Sequence, residues 1–102
     1  MRFEDLEAFL TVSETASFSA AAQQLHLTQP ALTRRIQQLE SRLNARLFDR
    51  VGRRVHLTHA GETLLPRARD LLRGLADAQR AIGNLSAQID GTLKLATSHH
   101  IG

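Results

Sequence analysis

Apolar residues in the first part of the chain recur at helical spacing. Leu6, Phe9 and Leu10 stand at i, i+3 and i+4, which predicts an amphipathic helix over residues 4–15. An alanine-rich segment then predicts a short helix over about residues 19–25. Alanine side chains let a neighbouring helix approach closely, so this short helix is expected to pack tightly.

A third and longer helix follows a turn. Thr28 is a favourable N-cap, and Pro30 falls in the first helical turn, where its missing N–H is not needed. Asn44 suits a left-handed C-terminal cap, so the helix is predicted over about residues 29–43. Its predicted buried stripe is Leu32, Ile36, Leu39 and Leu43.

The next segment has the pattern of a hairpin. Leu47 and Phe48 precede a turn centred on Gly52, and Val55 and Leu57 alternate with polar residues after the turn. This arrangement predicts two short antiparallel strands joined by a tight connection.

A long heptad pattern follows Thr58, which can cap the helix that it predicts. Pro66 should kink this helix, and Gly91 is expected to end it before a strand over residues 93–97. A seam with a 3.5-residue repeat is typical of a coiled coil and indicates dimerisation. The predicted dimerisation residues are Leu64, Ala68, Leu71, Leu75, Ala78, Ile82, Leu85 and Ile89.

The order of these elements predicts a mainly α fold, a winged helix-turn-helix followed by a long dimerisation (coiled-coil) helix. We divide the chain into a winged helix-turn-helix DNA-binding domain over 1–58, a linker helix over 59–89, and residues 90–102, whose alternating pattern is like the first strand of a new domain.

Charge is distributed unevenly and supports a nucleic-acid partner. The net charge is +3, but residues 28–56 contain seven arginines and two acids, whereas residues 1–27 contain one arginine and four acids. Arginine presents a planar set of donors that suits phosphates and guanine edges. The outward face of the third helix holds no acid, as a helix in the DNA major groove requires. Its residues are Pro30, Thr33, Arg34, Gln37, Gln38 and Ser41.

The hairpin supplies a second set of arginines. Arg53 at the tip is the best candidate to enter the minor groove, with Arg50 and Arg54 contacting phosphates. The full set of predicted DNA-contacting residues is Thr28, Gln29, Pro30, Thr33, Arg34, Gln37, Gln38, Arg50, Arg53 and Arg54.

Composition excludes several classes of function. The 102 residues include no cysteine, which excludes disulfide frameworks and thiolate metal sites. No apolar run approaches the roughly 20 residues of a membrane span, and the first residues lack a signal-peptide pattern. We expect a cytoplasmic protein without a cofactor.

Residues 3 to about 72 closely resemble the N-terminal region of LysR-type transcriptional regulators. The motifs that carry this resemblance are Leu6-x-x-Phe9, Ser17-Phe18, Ala21-Ala22, Gln29-Pro30-Ala31, Leu39-Glu40, Leu47-Phe48-x-Arg50 and Leu57-Thr58-x-Ala60-Gly61-Glu62. The chain departs from the family pattern at Ala16 and Asn44, where glycine is frequent.

The resemblance implies partners and residue roles. Double-stranded promoter DNA would be contacted by Gln29, Pro30, Thr33 and Arg34, with Arg53 at the wing. The linker helix would pair two chains, and two dimers would form a tetramer in the full-length protein. Residues 90–102 resemble the start of a C-terminal effector-binding (sensing) domain, truncated after its first strand. A small-molecule effector is expected only for that domain.

Two other functions are compatible with parts of the sequence. A helical interaction module would use the coiled coil and leave the basic face incidental. An acid–base or metal-dependent enzyme would use the five histidines, but His56 and His59 come without a matching carboxylate cluster and no HExxH motif exists.

Overall fold

A computed structural model describes the backbone of residues 1–99 and the side chains of residues 1–87. Its elements are α1 (Phe3–Thr15), α2 (Phe18–Gln24), α3 (Gln29–Leu43), β1 (Phe48–Val51), β2 (Arg54–Leu57) and α4 (His59–His99). The chain divides into two compact units at residue 72, and each is described by itself. The predicted mainly α winged helix-turn-helix, followed by a long helix, is confirmed.

The connection between α1 and α2 is set by one residue in a left-handed conformation. Ala16 has φ 54°, and its N–H donates to the Val12 carbonyl, which ends α1. Ser17 is then extended, and its hydroxyl accepts the Ala20 N–H at 3.1 Å to cap α2. An alanine therefore adopts the turn conformation that glycine would adopt more easily.

Helix α3 has the predicted bounds and caps. The Thr28 hydroxyl accepts the Ala31 N–H at 3.2 Å, and Pro30 lies in the first turn. Asn44 has φ 52° and ends the helix in the left-handed conformation that was predicted for it.

The core lies where α1, α2 and α3 meet. It is built from residues of all three helices and is closed by the start of β1 and one residue of α4. Its fully buried side chains include Phe9, Val12, Leu32, Leu39 and Leu47. Leu43 departs from the predicted stripe, since it is 36% exposed at the end of α3, where the helix has passed the core.

The wing is a two-stranded antiparallel hairpin. Phe48 pairs with Leu57, and Val51 pairs with Arg54. Gly52 in the turn has φ 64°, a conformation that glycine adopts without steric strain. Phe48 is buried, whereas the next three residues of β1 are exposed, so only the first residue of the strand belongs to the core.

Helix α4 begins at the predicted cap and continues past the predicted end. The Thr58 hydroxyl accepts the Gly61 N–H at 3.1 Å, and Pro66 lies inside the helix. The helix runs to His99, so the predictions that Gly91 ends it and that residues 93–97 form a strand are wrong. A strand must hydrogen-bond to a neighbouring strand, whereas a helix satisfies its backbone locally.

The first part of the predicted coiled-coil seam packs within its own domain. Ala68 is fully buried and belongs to the core, and Leu64 packs against that core. The Ala68 side chain is already covered by the same chain, and its part in an intermolecular seam stays a prediction. Leu64 and Ala68 still fit the heptad spacing, because a helix needs an apolar face of the same spacing whether it packs against its own domain or against a partner.

Candidate nucleic-acid interface

The outward face of α3 is exposed along most of its length. Arg34, Gln37 and Gln38 are exposed, as are Pro30 and the N-cap Thr28, whereas Thr33 is half-buried. The face presents hydroxyl, amide and guanidinium groups, which are the side-chain groups that read base edges. The sequence-predicted residues of α3 thus lie on one accessible surface.

This surface has two flanks with different neighbours. Thr33 and Gln37 line a groove that β1 borders through Asp49. Gln38 lies on the other flank, in a cleft with Arg35 and Asp5 at the start of α1. The structure therefore brings Thr33 and Gln37 towards the wing and separates Gln38 from it.

Glu40, the single acid of α3, is half-buried and borders the groove of Thr33 and Gln37, with its carboxylate bonded to the protein. Its Oε2 accepts the backbone N–H of Leu47 at 2.7 Å. A charged acceptor makes this hydrogen bond stronger than one between neutral groups. The bond ties the last turns of α3 to the start of the wing and occupies one oxygen of this carboxylate.

The other side of the same backbone segment is held by the start of α4. The Thr58 N–H donates to the Leu47 carbonyl at 3.0 Å, and the Thr58 hydroxyl donates to the Arg46 carbonyl. A Cβ at Gly61 would overlap the Leu47 carbonyl oxygen and lie 2.8 Å from Leu57 Cδ2. We call Leu47 with its partners Glu40, Thr58 and Gly61 the wing anchor.

The three wing arginines have different surroundings. Arg50 on β1 stacks on Phe18, with its Cζ 4.8 Å from the ring centroid. Arg53 lines a second groove together with Gln29 at the start of α3. Arg54, the first residue of β2, is exposed. The wing thus holds one arginine against the helical domain and presents another at its tip.

Sequence reasoning missed Phe18 and the hydrogen-bonding role of Glu40. The sequence places Phe18 and Glu40 only within family motifs and predicts no contact for either. Both act through residues of the wing, and periodicity within one helix carries no information about such contacts. A partial signal was present for Glu40, since it is the single acid on an otherwise acid-free helix.

The second unit contains the remaining described part of the predicted seam, apart from Leu71, which lies in the first unit and is 47% exposed. Ile82 is 65% exposed and Leu85 is 54% exposed. Ala78 is also exposed, and Leu75 is half-buried. The side chain of Ile89 lies outside the described residues. A row of large apolar side chains on one face of a helix is the pattern of a surface that another helix covers.

A two-stranded wing beside an N-capped helix whose exposed outward face carries no acid defines a winged helix-turn-helix DNA-binding protein. The family model of the bacterial regulatory helix-turn-helix proteins of the lysR family matches residues 3–62. The chain belongs to the lysR family. It is a region of a sequence-specific DNA-binding transcriptional regulator, as the relatives and the solved DNA complexes of this family show.

Two relatives illustrate how much of a protein the chain spans. It is 56% identical over 102 residues to an uncharacterized HTH-type transcriptional regulator in the ibpB-leuC intergenic region of Azotobacter vinelandii, covering all of this chain and 71% of that protein. It is 43% identical over 91 residues to the uncharacterized HTH-type transcriptional regulator YbhD of Escherichia coli (strain K12), covering 89% of this chain and 29% of that protein.

A solved DNA complex gives the structural comparison. The crystal structure of the BenM DNA-binding domain with catB site 1 DNA has a TM-score of 0.81 and 32% identity, covering 84% of this chain and 97% of that one. Within the described part of the chain, no helix has the length and apolar content that crossing a membrane requires.

Proposed function

We propose that α3 enters the DNA major groove with its outward face against the base edges. The observation that carries this proposal is the accessible acid-free face of α3, combined with the turning of Glu40 to the Leu47 N–H. Negative charge on this face would lie between two phosphate strands and would weaken binding. The hydrogen bond from the Leu47 N–H directs one oxygen of the Glu40 carboxylate towards the protein.

The residues of α3 are assigned according to their position on this face. Arg34 lies at the centre and contacts a guanine edge, since its fork matches the O6 and N7 acceptors. Gln29, Thr33 and Gln37 contact bases or phosphates towards the wing, and Gln38 contacts the opposite flank. Thr28 and Pro30 lie in or beside the first turn, whose free N–H groups attract a phosphate.

The wing occupies the adjacent minor groove. Arg53 at the turn enters that groove, where an arginine is favoured at narrow A·T-rich sequence, and Arg50 and Arg54 contact phosphates. Support comes from the position of Arg53 beside Gln29 in one groove of the protein, which places the wing tip next to the start of α3.

The whole regulator acts as a dimer that is formed through α4, and two dimers form a tetramer in the full-length protein. The exposed Ile82 and Leu85 support the dimer. A sensing domain that follows α4 binds the small-molecule effector. The regulator works in the cytoplasm and carries no catalytic site, which agrees with the naming of its relatives as transcriptional regulators.

Selection of bound duplexes from a random pool tests this proposal. We expect enriched inverted half-sites with A·T-rich flanks at the wing positions. Arg34→Ala should cost about 1–3 kcal/mol of binding free energy and relax the preference at one base position. Arg42→Ala is the matched control, because it removes the same charge from the exposed last turn of the same helix.

The two variants separate base recognition from charge. We expect Arg42→Ala to retain the wild-type base preference in the selected sites. If Arg34→Ala and Arg42→Ala weakened binding to all duplexes alike and left the selected sequence unchanged, α3 would not read bases.

A further inference from the structure

One pair of side chains divides the surface between α3 and the wing, which we call the path, into two grooves. The groove nearer the middle of α3 is lined by Thr33 and Gln37, and the groove nearer its start is lined by Gln29 and Arg53. The two grooves share two lining residues, Phe18 and Arg50. This pair therefore lies between them, close to the surface that faces DNA in the proposed function.

The contact between these two side chains leaves the arginine free to bind an anion. The Arg50 Cζ lies 4.8 Å from the centroid of the Phe18 ring. A contact with a ring face holds the cation without an oxygen or nitrogen acceptor, so the five N–H donors of a guanidinium can still bind an anion. Among the described residues, none is seen to accept a hydrogen bond from this guanidinium, even though the exposed Asp49 precedes it on β1.

Phe18 is itself fixed from beneath by the core. Its ring contacts Phe48 edge-on, with the centroids 6.0 Å apart and the planes at 75°. Phe48 packs against Phe9 at 5.3 Å, and Phe9 is fully buried. Three aromatic rings thus connect the interior of the domain to one exposed guanidinium, which limits the positions that Arg50 adopts.

We propose that Phe18 is a positioning residue for DNA binding, which holds Arg50 on the path between α3 and the wing so that it binds one backbone phosphate. The inference rests on the proposed function. If α3 lies in the major groove and the wing in the adjacent minor groove, the DNA strand whose backbone separates the two grooves passes between α3 and the wing. A guanidinium held there meets a phosphate of that strand without first losing its rotational freedom.

Binding of the 102-residue chain to a random-sequence duplex, measured across salt concentrations, tests the inference. Arg50→Ala should reduce the slope of log affinity against log salt by about 0.9, as expected for one lost phosphate contact. Phe18→Leu should weaken binding about two- to five-fold at one salt concentration and should also reduce the slope. In the Arg50→Ala background, Phe18→Leu should change neither quantity further.

Phe3→Leu is the control for removal of an aromatic ring, because Phe3 is 48% exposed at the start of α1 and lines neither groove. It should retain the wild-type slope. A folded Phe18→Leu protein with the wild-type slope would overturn the inference, and so would an equal effect of Phe18→Leu with and without Arg50.

A measurement on the unaltered chain keeps the test decisive if Phe18→Leu does not fold. In NMR spectra of the free protein, the Arg50 side-chain resonances should be shifted upfield by the Phe18 ring. Addition of the random duplex should change the Arg50 Nε–H resonance as it binds phosphate. Resonances at random-coil positions, or a signal that the duplex leaves unchanged, would refute the positioning role.

The outcomes also separate this inference from the proposed function. Loss of base preference in Arg34→Ala together with a wild-type slope in folded Phe18→Leu would refute only the role of Phe18. Absence of salt-dependent binding by the wild-type chain to any duplex would refute the proposed function itself.

Discussion

Gly61, in the first turn of α4, lies against the backbone of Leu47. A Cβ at this position would overlap the Leu47 carbonyl oxygen, which is backbone and cannot rotate away as a side chain can. The residue is buried, and its φ lies outside the left-handed region. Glycine is required here for space and not for conformational freedom.

This requirement gives a prediction with an internal control. Gly61→Ala should destabilise the domain by about 1–3 kcal/mol, because the first turn of α4 must move away from Leu47. Gly74→Ala should be neutral or stabilising by up to about 1 kcal/mol, because nothing lies within 4 Å of its Cβ position and alanine favours a helix. Thermal unfolding followed by circular dichroism compares the two, and equal transition temperatures would contradict the steric argument.

Residues with local roles could be predicted from the sequence, and residues with distant roles could not. The capping roles of Thr28 and Asn44 follow from side-chain chemistry within a few residues, and both are confirmed. The contact between Phe18 and Arg50 joins residues that are 32 positions apart, so no periodic pattern contains it. The DNA-contacting roles of the α3 and wing residues stay predictions.

At the scale of elements, the wing is attached to the helices mainly through its two ends. Glu40 in the last turns of α3 accepts the Leu47 N–H. Thr58, before α4, donates to the carbonyls of Arg46 and Leu47. Beyond Phe48, the side chains of β1 are exposed, so burial stabilises only the beginning of this strand. The attachment of the wing therefore depends on these hydrogen bonds, together with the packing of Val55 and Leu57 against the core.

Replacement of Thr58 tests this dependence. Thr58→Val removes the hydroxyl that caps α4 and donates to Arg46, so we expect a loss of about 1–2 kcal/mol of stability. Thr63→Val removes a hydroxyl that bonds only to the His59 carbonyl within α4, and we expect a change within about 0.5 kcal/mol. Urea unfolding of both variants provides the measurement, and a larger loss for Thr63→Val would contradict this assignment.

The elements themselves were largely predictable because their signals are local. The bounds of α3 agree with prediction, and the hairpin lies where the apolar alternation flanks Gly52. The end of α4 was not predictable from the same signals. Gly91 and the alternating residues 93–97 resemble a strand, but in this structure that segment is helical.

At the scale of the whole molecule, the exposed seam of α4 gives a prediction about assembly. Burial of a large apolar side chain is worth about 1.5–3 kcal/mol, and a symmetric dimer contains two copies of each. Ile82→Glu should therefore weaken the dimer by at least about a hundred-fold, which sedimentation equilibrium would measure.

Ala87→Glu is the matched control for that change. It introduces the same charge at an exposed position of the same helix, outside the heptad seam. We expect it to leave the dimer constant within about three-fold. Dissociation by both variants alike would indicate charge repulsion without a specific seam.

The wing anchor has a mechanical consequence. Leu47 is 1% exposed, its N–H is bonded to a residue of α3, and its carbonyl is bonded to the residue before α4. A twist applied to the opening turn of α4 would consequently act on the start of the hairpin and on the last turns of α3 through the backbone of this one residue. Helix α3, the wing and the first turn of α4 would therefore move together, because each is joined to the backbone of Leu47.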